Sequence, residues 1–247
     1  MFLPTISNTQ LSKIQKLSPS ENLFLGTSCG LKKKINEDFV GFIINNNEKK
    51  IRLLIADGHW GNEAAKIITR YWLNKKLIFP TSRLEAIKLV EKIEVKLFDE
   101  FGKQNMNSQK DFTPEASFIA CELNSQNELK IISYGDCRAA IFNHGQKSWQ
   151  IPTQATWLGA FSYLNLRNRL PVAEELFFQT LQLKKDDLIL LYTDGIDECI
   201  YETPTLNLSL LMRGLAKQSP TKIFHAIMKA VFSYGAEDNA SLIVMKI

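Results

Sequence analysis

The feature that most constrains this chain is a set of short apolar runs, each of strand length and each bordered by an acidic residue. The run "IRLLIADGHWG" stops at Asp57-Gly58-His59, and "LILLYTDGIDE" stops at Asp194. In "INEDFVGFI" Glu37-Asp38 begins the apolar run, "ISYGDCRAAIF" is interrupted at Asp136, and in "EDNASLIVM" Asp238 precedes the apolar run. Such runs read as buried strands. Packed sheets are therefore expected, with carboxylates at the borders of buried segments. An isolated buried carboxylate costs several kcal/mol or takes up a proton.

Turn chemistry and periodicity divide the rest. Leu23–Ser28, Phe39–Ile44 and Ile51–Ala56 read as strands, the last two joined through Asn45-Asn46-Asn47-Glu48. Ala65, Ile68 and Trp72 recur at helical spacing within 62–74, as do Ile87, Val90, Ile93, Leu97 and Phe101 within 84–101. Strands resume at Ala116–Glu122, Leu129–Tyr134, Ala139–Asn143 and Lys147–Ile151. Leu176–Leu183 and Leu188–Tyr192 read as a hairpin through Lys184-Lys185-Asp186-Asp187. Helices are predicted over 206–217 and 221–233, the second with Ser219 as N-cap and Pro220 at its first position, and Ala240–Ile247 is a closing strand. Strands in runs and helices in consecutive pairs predict the α+β class: two antiparallel sheets face to face, with a helix pair on each outer face. One domain is expected over 23–247, after a polar, loosely ordered extension over 1–22.

Composition narrows the function. With 45% hydrophobic and 23% charged residues, a chain of 247 residues can bury a large core without staples. A formal charge of +4 is too small to argue for nucleic acid. The four cysteines, at 29, 121, 137 and 199, share no metal-ligand spacing and read as reduced thiols of a cytoplasmic protein. No apolar run is long enough to span a bilayer, and the first residues lack the pattern of a signal peptide, so no membrane association is expected.

A single Asp-Gly is ordinarily a turn, and Asp-Asn before a strand an ordinary cap. Five acidic borders together point to convergence on a shared cation. Hard divalent ions such as Mg²⁺ or Mn²⁺ take carboxylate, carbonyl and water oxygens. Glycine after Asp57 and after Asp194 permits a sharp turn and close backbone approach, so a carbonyl can serve as ligand too.

In this order, "NED", "DGH", "GDCRAAIF", "YTDG" and "EDNASLIVM" resemble the metal-dependent protein phosphatases of the protein phosphatase 2C type, from about Leu23 to Ile247. The resemblance implies an α-β-β-α sandwich, in agreement with the layer reading. It implies a serine/threonine phosphatase that uses two Mg²⁺ or Mn²⁺ ions, acts as a monomer and takes a phosphorylated protein as substrate. Asp57 would bridge the ions, Glu37 and the Gly58 carbonyl would bind one, and Asp194 and Asp238 the other. Asp38 would orient water beside them. Asp136 matches a position that contributes to a third, weaker site in some members, with Asp194 and Glu198. Asn239 would hold the loop, and His59 would protonate the leaving group.

The chain departs from the pattern in places. The family commonly has an arginine four residues before the metal glutamate, gripping substrate phosphate, and here that position is Lys33. A point charge replaces a planar fork, so weaker phosphate binding is expected. Trp60 replaces a second glycine, either walling the pocket or packing on the first helix. "TPEASFIA" replaces a Gly- and Ser/Thr-rich stretch, and Cys137 stands where serine is common, as a small core residue. Residues 152–174 fall where members carry a flap. The alternative function is an adaptor that binds a phosphoprotein without turnover.

Overall fold

The computed structural model describes residues 14–102, 114–150, 172–197, 211 and 214–247. Eleven strands are described: β1 Gln15–Ser20, β2 Leu23–Ser28, β3 Phe39–Asn45, β4 Lys50–His59, β5 Glu115–Leu123, β6 Glu128–Tyr134, β7 Arg138–Asn143, β8 Ser148–Gln150, β9 Phe177–Gln182, β10 Leu188–Tyr192 and β11 Ala240–Lys246. The described α-helices are α1 Glu63–Trp72, α2 Arg83–Leu97, extended by a π turn over Phe98–Gly102, the single turn α3 Val172–Glu175 and α4 Pro220–Ser233. One sheet runs β3-β4-β5-β6-β9 and the other β1-β2-β11-β10-β7-β8, with every strand pair antiparallel.

The period-two alternation of each strand divides its side chains between layers. On β4, Leu54 and Ala56 pack with α1 and α2. Leu53 and Ile55 pack between the sheets with Val40, Ile119, Ile189, Leu191 and Ile243. On the far side, Leu190, Leu242 and Val244 meet Ile223, Phe224, Ile227 and Met228 of α4. Three apolar layers between four layers of structure make the expected α-β-β-α sandwich. Ser219 caps α4 by accepting from the Lys222 N–H, as its position predicts. The helix expected over 206–217 lies largely outside the described residues, but Leu211, Leu215 and Ala216 pack in the α4 layer. No helix among the described residues is long and apolar enough to cross a membrane.

Three sequence expectations need correction. Residues 15–20, expected within a loose extension, form edge strand β1 against β2, with an irregularity between Leu17 and Ser20. Pro19, which has no N–H to give a ladder, fits only such an edge. Second, β9 and β10 are not a hairpin. β9 pairs with β6 and β10 with β7, so Lys184–Asp187 carries the chain from one sheet to the other. Asp187 secures that crossing by accepting from the His144 and Lys184 N–H groups. Third, β4 does not end before Asp57. Its ladder with β5 continues through Asp57↔Ser117, Gly58↔Ala116 and His59↔Glu115.

Candidate active site

Strand parity builds the site. Val40 and Phe42 of β3 face the inter-sheet layer, so Asp38, just ahead of β3, shares their side. The same parity places Asp57 beyond Leu53 and Ile55, Ser117 beyond Ile119, Thr193 beyond Leu191 and Ser241 before Ile243. At one end of the layer, polar side chains thus replace the apolar filling. Asp38 is buried and accepts from Ser241 Oγ at 2.7 Å and Thr193 Oγ1 at 3.1 Å, both from the opposite sheet. Its other oxygen is buried without a hydrogen-bond partner.

Backbone contact gathers the remaining acids. A Cβ on Gly58 would stand 2.5 Å from the Glu37 carbonyl, and one on Gly195 only 1.9 Å from the Asn239 carbonyl. Glycine at these points is needed for close approach; the sharp turn expected at Gly58 comes later, at Trp60 and Gly61, which both have positive φ. Asn239 ties the loops together as expected. Its Oδ1 accepts from the Glu37 N–H at 2.8 Å, and its Nδ2 donates to the carbonyls of Cys29 and Ile35. Asp194 opens a short 3₁₀ turn directly after β10.

The electrostatics report the convergence. Burial pushes the Asp57 carboxyl well above the usual carboxylate range, and the neighbouring Asp38, Asp194, Asp136 and Asp238 push it further. Burial likewise pushes Asp38 from an ordinary 3.8 up to about 7, against the pull of its Ser241 hydrogen bond. Lys33 answers part of this charge: its Nζ lies 3.1 Å from Asp238 Oδ1. Burial alone would lower its pKa, but Asp238, then Glu37 and Asp57, raise it above the usual lysine value.

The predicted residues are therefore neighbours, but not a closed cage. Among the described residues, no three histidine, cysteine or acidic side chains are gathered tightly enough to hold a metal ion. Glu37 instead accepts from the Gly61 N–H at 2.5 Å, while Asp238 takes Lys33 and Asp38 takes two hydroxyls. The donor chemistry still fits a hard divalent cation. The donors are oxygens, carboxylates crowd one another, and one buried carboxylate oxygen of Asp38 lacks a hydrogen bond. Glu198 lies outside the described residues, as does the expected flap up to residue 171.

Other predicted side chains have clear places. His59 Nδ1 lies 2.9 Å from Glu115 Oε1, and the Trp60 ring stacks on the imidazole at 4.8 Å and 24°. Trp60 is half exposed, so it lies over the histidine instead of being buried against α1. Cys137 is buried, with Sγ 3.1 Å from Ser117 Oγ, as a core residue would be. Sequence reasoning missed Glu115, whose only signal was its position at the head of the strand that pairs with β4. A cavity of about 670 Å³ lies at the opposite ends of β3–β6, near Lys50, Arg52 and Phe79, and includes none of the predicted site residues.

Asp38 sets a pH dependence. The folded protein holds a proton on it up to about pH 7, whereas the unfolded chain releases that proton near 3.8. Between these values the folded state binds more protons, so stability falls as pH rises. Relative to Asp38→Asn, the metal-free wild type is expected to lose melting temperature from about pH 4 to about pH 7 and to level off above. Paired thermal melts in EDTA check this; a difference that grows in the wild type's favour with pH would contradict it.

The fold defines a class first. The chain superimposes on a structure described as the S. agalactiae serine/threonine phosphatase with a TM-score of 0.72 and 14% identity, covering 91% of this chain and 98% of that one. The catalytic domain of the serine threonine protein phosphatase PstP, in complex with two manganese ions, gives 0.68 at 15% identity over 91% and 98%. RsbX in complex with magnesium gives 0.62 at 15% identity over 95% and 99%. No curated protein sequence matches the chain. A family model described as stage II sporulation protein E (SpoIIE) matches residues 81–247, and the chain belongs to that family. It is thereby one of the protein phosphatase 2C-like proteins its motifs resemble. The matched stretch contains Asp136, Asp194 and Asp238; Glu37, Asp38, Asp57 and His59 precede it.

Proposed function

We propose that the chain is a Mg²⁺- or Mn²⁺-dependent phosphatase of phosphoserine and phosphothreonine in proteins. The observation that carries this reading is the crowding of Asp57 by four other carboxylates at the polar end of the inter-sheet layer. Such a cluster is costly for a fold to keep unless cations offset it.

Glu37, Asp57, the Gly58 carbonyl, Asp194 and Asp238 are the residues that would hold two ions, with Asp136 contributing to a third, weaker site. When bound, the ions supply an activated water and neutralise charge on the phosphoryl oxygens. Asp38, held by Ser241 and Thr193, would fix the orientation of water beside them. Lys33, whose Nζ lies 3.1 Å from Asp238 Oδ1, would be a cation for substrate phosphate with the ions bound. His59, with a half-exposed side chain, would protonate the departing serine or threonine oxygen.

Turnover of a phosphothreonine peptide and of p-nitrophenyl phosphate, with Mn²⁺, with Mg²⁺ and with EDTA, tests the reading. Metal-dependent hydrolysis that EDTA abolishes is expected. Metal binding by calorimetry with no turnover on any phosphopeptide would reject it in favour of an adaptor. His59→Ala is expected to slow the peptide reaction by about 10²-fold or more. It should spare p-nitrophenyl phosphate, whose leaving group departs without a proton. Equal losses on the two substrates would remove His59 from the role of acid.

A further inference from the structure

We propose that Glu115 is a positioning residue for His59, fixing which imidazole nitrogen faces the leaving group. The inference rests on the phosphatase reading for its kinetic consequence and on geometry for the pair itself.

The β4–β5 ladder sets His59 directly across from Glu115. Both residues follow the parity of Asp57 and Ser117, so their side chains rise on one face of the sheet. Glu115 Oε1 lies 2.9 Å from His59 Nδ1, and the glutamate side chain is only 15% exposed against 42% for the histidine. The carboxylate is therefore the more deeply buried member of the pair. An ionised carboxylate can only accept, so Nδ1 carries the proton in this contact. That leaves Nε2 as the nitrogen for chemistry, because the hydrogen bond at one ring nitrogen sets the role of the other.

Trp60 completes the clamp. Its ring stacks on the imidazole at 4.8 Å, and its backbone adopts φ +63, a left-handed conformation unusual for a tryptophan. Edge and face of the imidazole are thus both occupied, which limits rotation of the side chain.

The proton transfer balances with these parts. The Nε2–H bond of the imidazolium breaks and its electron pair stays on nitrogen. The proton joins the departing serine or threonine oxygen as the phosphorus–oxygen bond breaks, giving a neutral hydroxyl. The ring is left as the Nδ1–H tautomer, the form Glu115 already holds, and solvent returns the proton to Nε2.

The test has a spectroscopic arm and a kinetic arm. The chain has three histidines, so ¹⁵N-resolved imidazole spectra can be assigned with His144 and His225 variants. At a pH where the ring is neutral, wild-type His59 is expected as the Nδ1–H tautomer, and Glu115→Ala is expected to shift it toward Nε2–H. With Mn²⁺, Glu115→Ala is expected to lower kcat on a phosphothreonine peptide about 10- to 100-fold with KM little changed. The rate on p-nitrophenyl phosphate should stay within about twofold, since that leaving group needs no proton. Glu115→Gln, whose amide oxygen can still accept from Nδ1, should keep the tautomer and lose less. An unchanged tautomer in Glu115→Ala, or equal losses on both substrates, would overturn the proposal. A wild type silent on both substrates would overturn the hydrolase reading alone, and the spectra would still decide the pair.

Discussion

Asp57→Asn is expected to lower metal-dependent turnover by about 10³-fold or more, and at the same time to make the metal-free protein more stable. The two effects have one cause. Asp57 is the carboxylate on which Asp38, Asp194, Asp136 and Asp238 all bear. In the metal-free chain that crowding opposes folding, and an amide relieves it. With metal, the same carboxylate would be the shared ligand, and an amide nitrogen offers no lone pair in its place. Mn²⁺ should therefore raise the melting temperature of the wild type, as a ligand of the folded state does, and leave the variant nearly unmoved. Melting curves with Mn²⁺ and with EDTA, beside kcat/KM on a phosphopeptide, measure both. Retention of more than about a tenth of wild-type turnover would show that Asp57 is not the bridging ligand.

Trp72→Ala is expected to destabilise the protein by about 3–5 kcal/mol. Trp72 closes α1 and is fully buried, 5.5 Å in centroid distance from both Phe79 and Phe118. Its removal opens a cavity between the first sheet and the helix that follows directly from Asp57-Gly58-His59. The Trp72 carbonyl accepts from the Arg52 guanidinium, which also holds the Leu77 carbonyl and Glu122, so α1 and the next loop share one anchor. Trp72→Phe should cost less, since it keeps most of the ring contact and removes an indole N–H buried without a hydrogen-bond partner. Denaturant unfolding of the two variants measures the difference. A loss below about 1 kcal/mol for Trp72→Ala would mean that this layer collapses onto the space left behind.

The layers themselves were legible in the chain. Runs such as "RLLIA" and "SLIVM" carry apolar residues at both parities, which requires cover on both faces, and the helical spacing in 62–74 and 84–101 supplies such cover for one sheet. The acidic borders were legible for a related reason: a charge beside a run buried on both faces is costly enough to need a partner. Their order along the chain carried the family resemblance. Lys33 was legible as a cation beside the site, but its pairing with Asp238 was not, since the two are joined only where β2 and β11 lie side by side.

What the sequence determined by itself was each strand's alternation, the two-faced burial that demands a sandwich, and the acids at the strand borders. These are local properties, written in spacing of a few residues. Tertiary structure alone decided that β9 and β10 part to different sheets, that β1 is paired, that β4 runs on to His59 and that Glu115 stands opposite it. Sheet membership and register depend on which distant strand supplies the hydrogen bonds and the matching face, and a one-residue slip would turn every side chain to the other side. No local propensity specifies that choice. Competition among whole strands for partners settles it, and with it the company that His59 and the carboxylates keep.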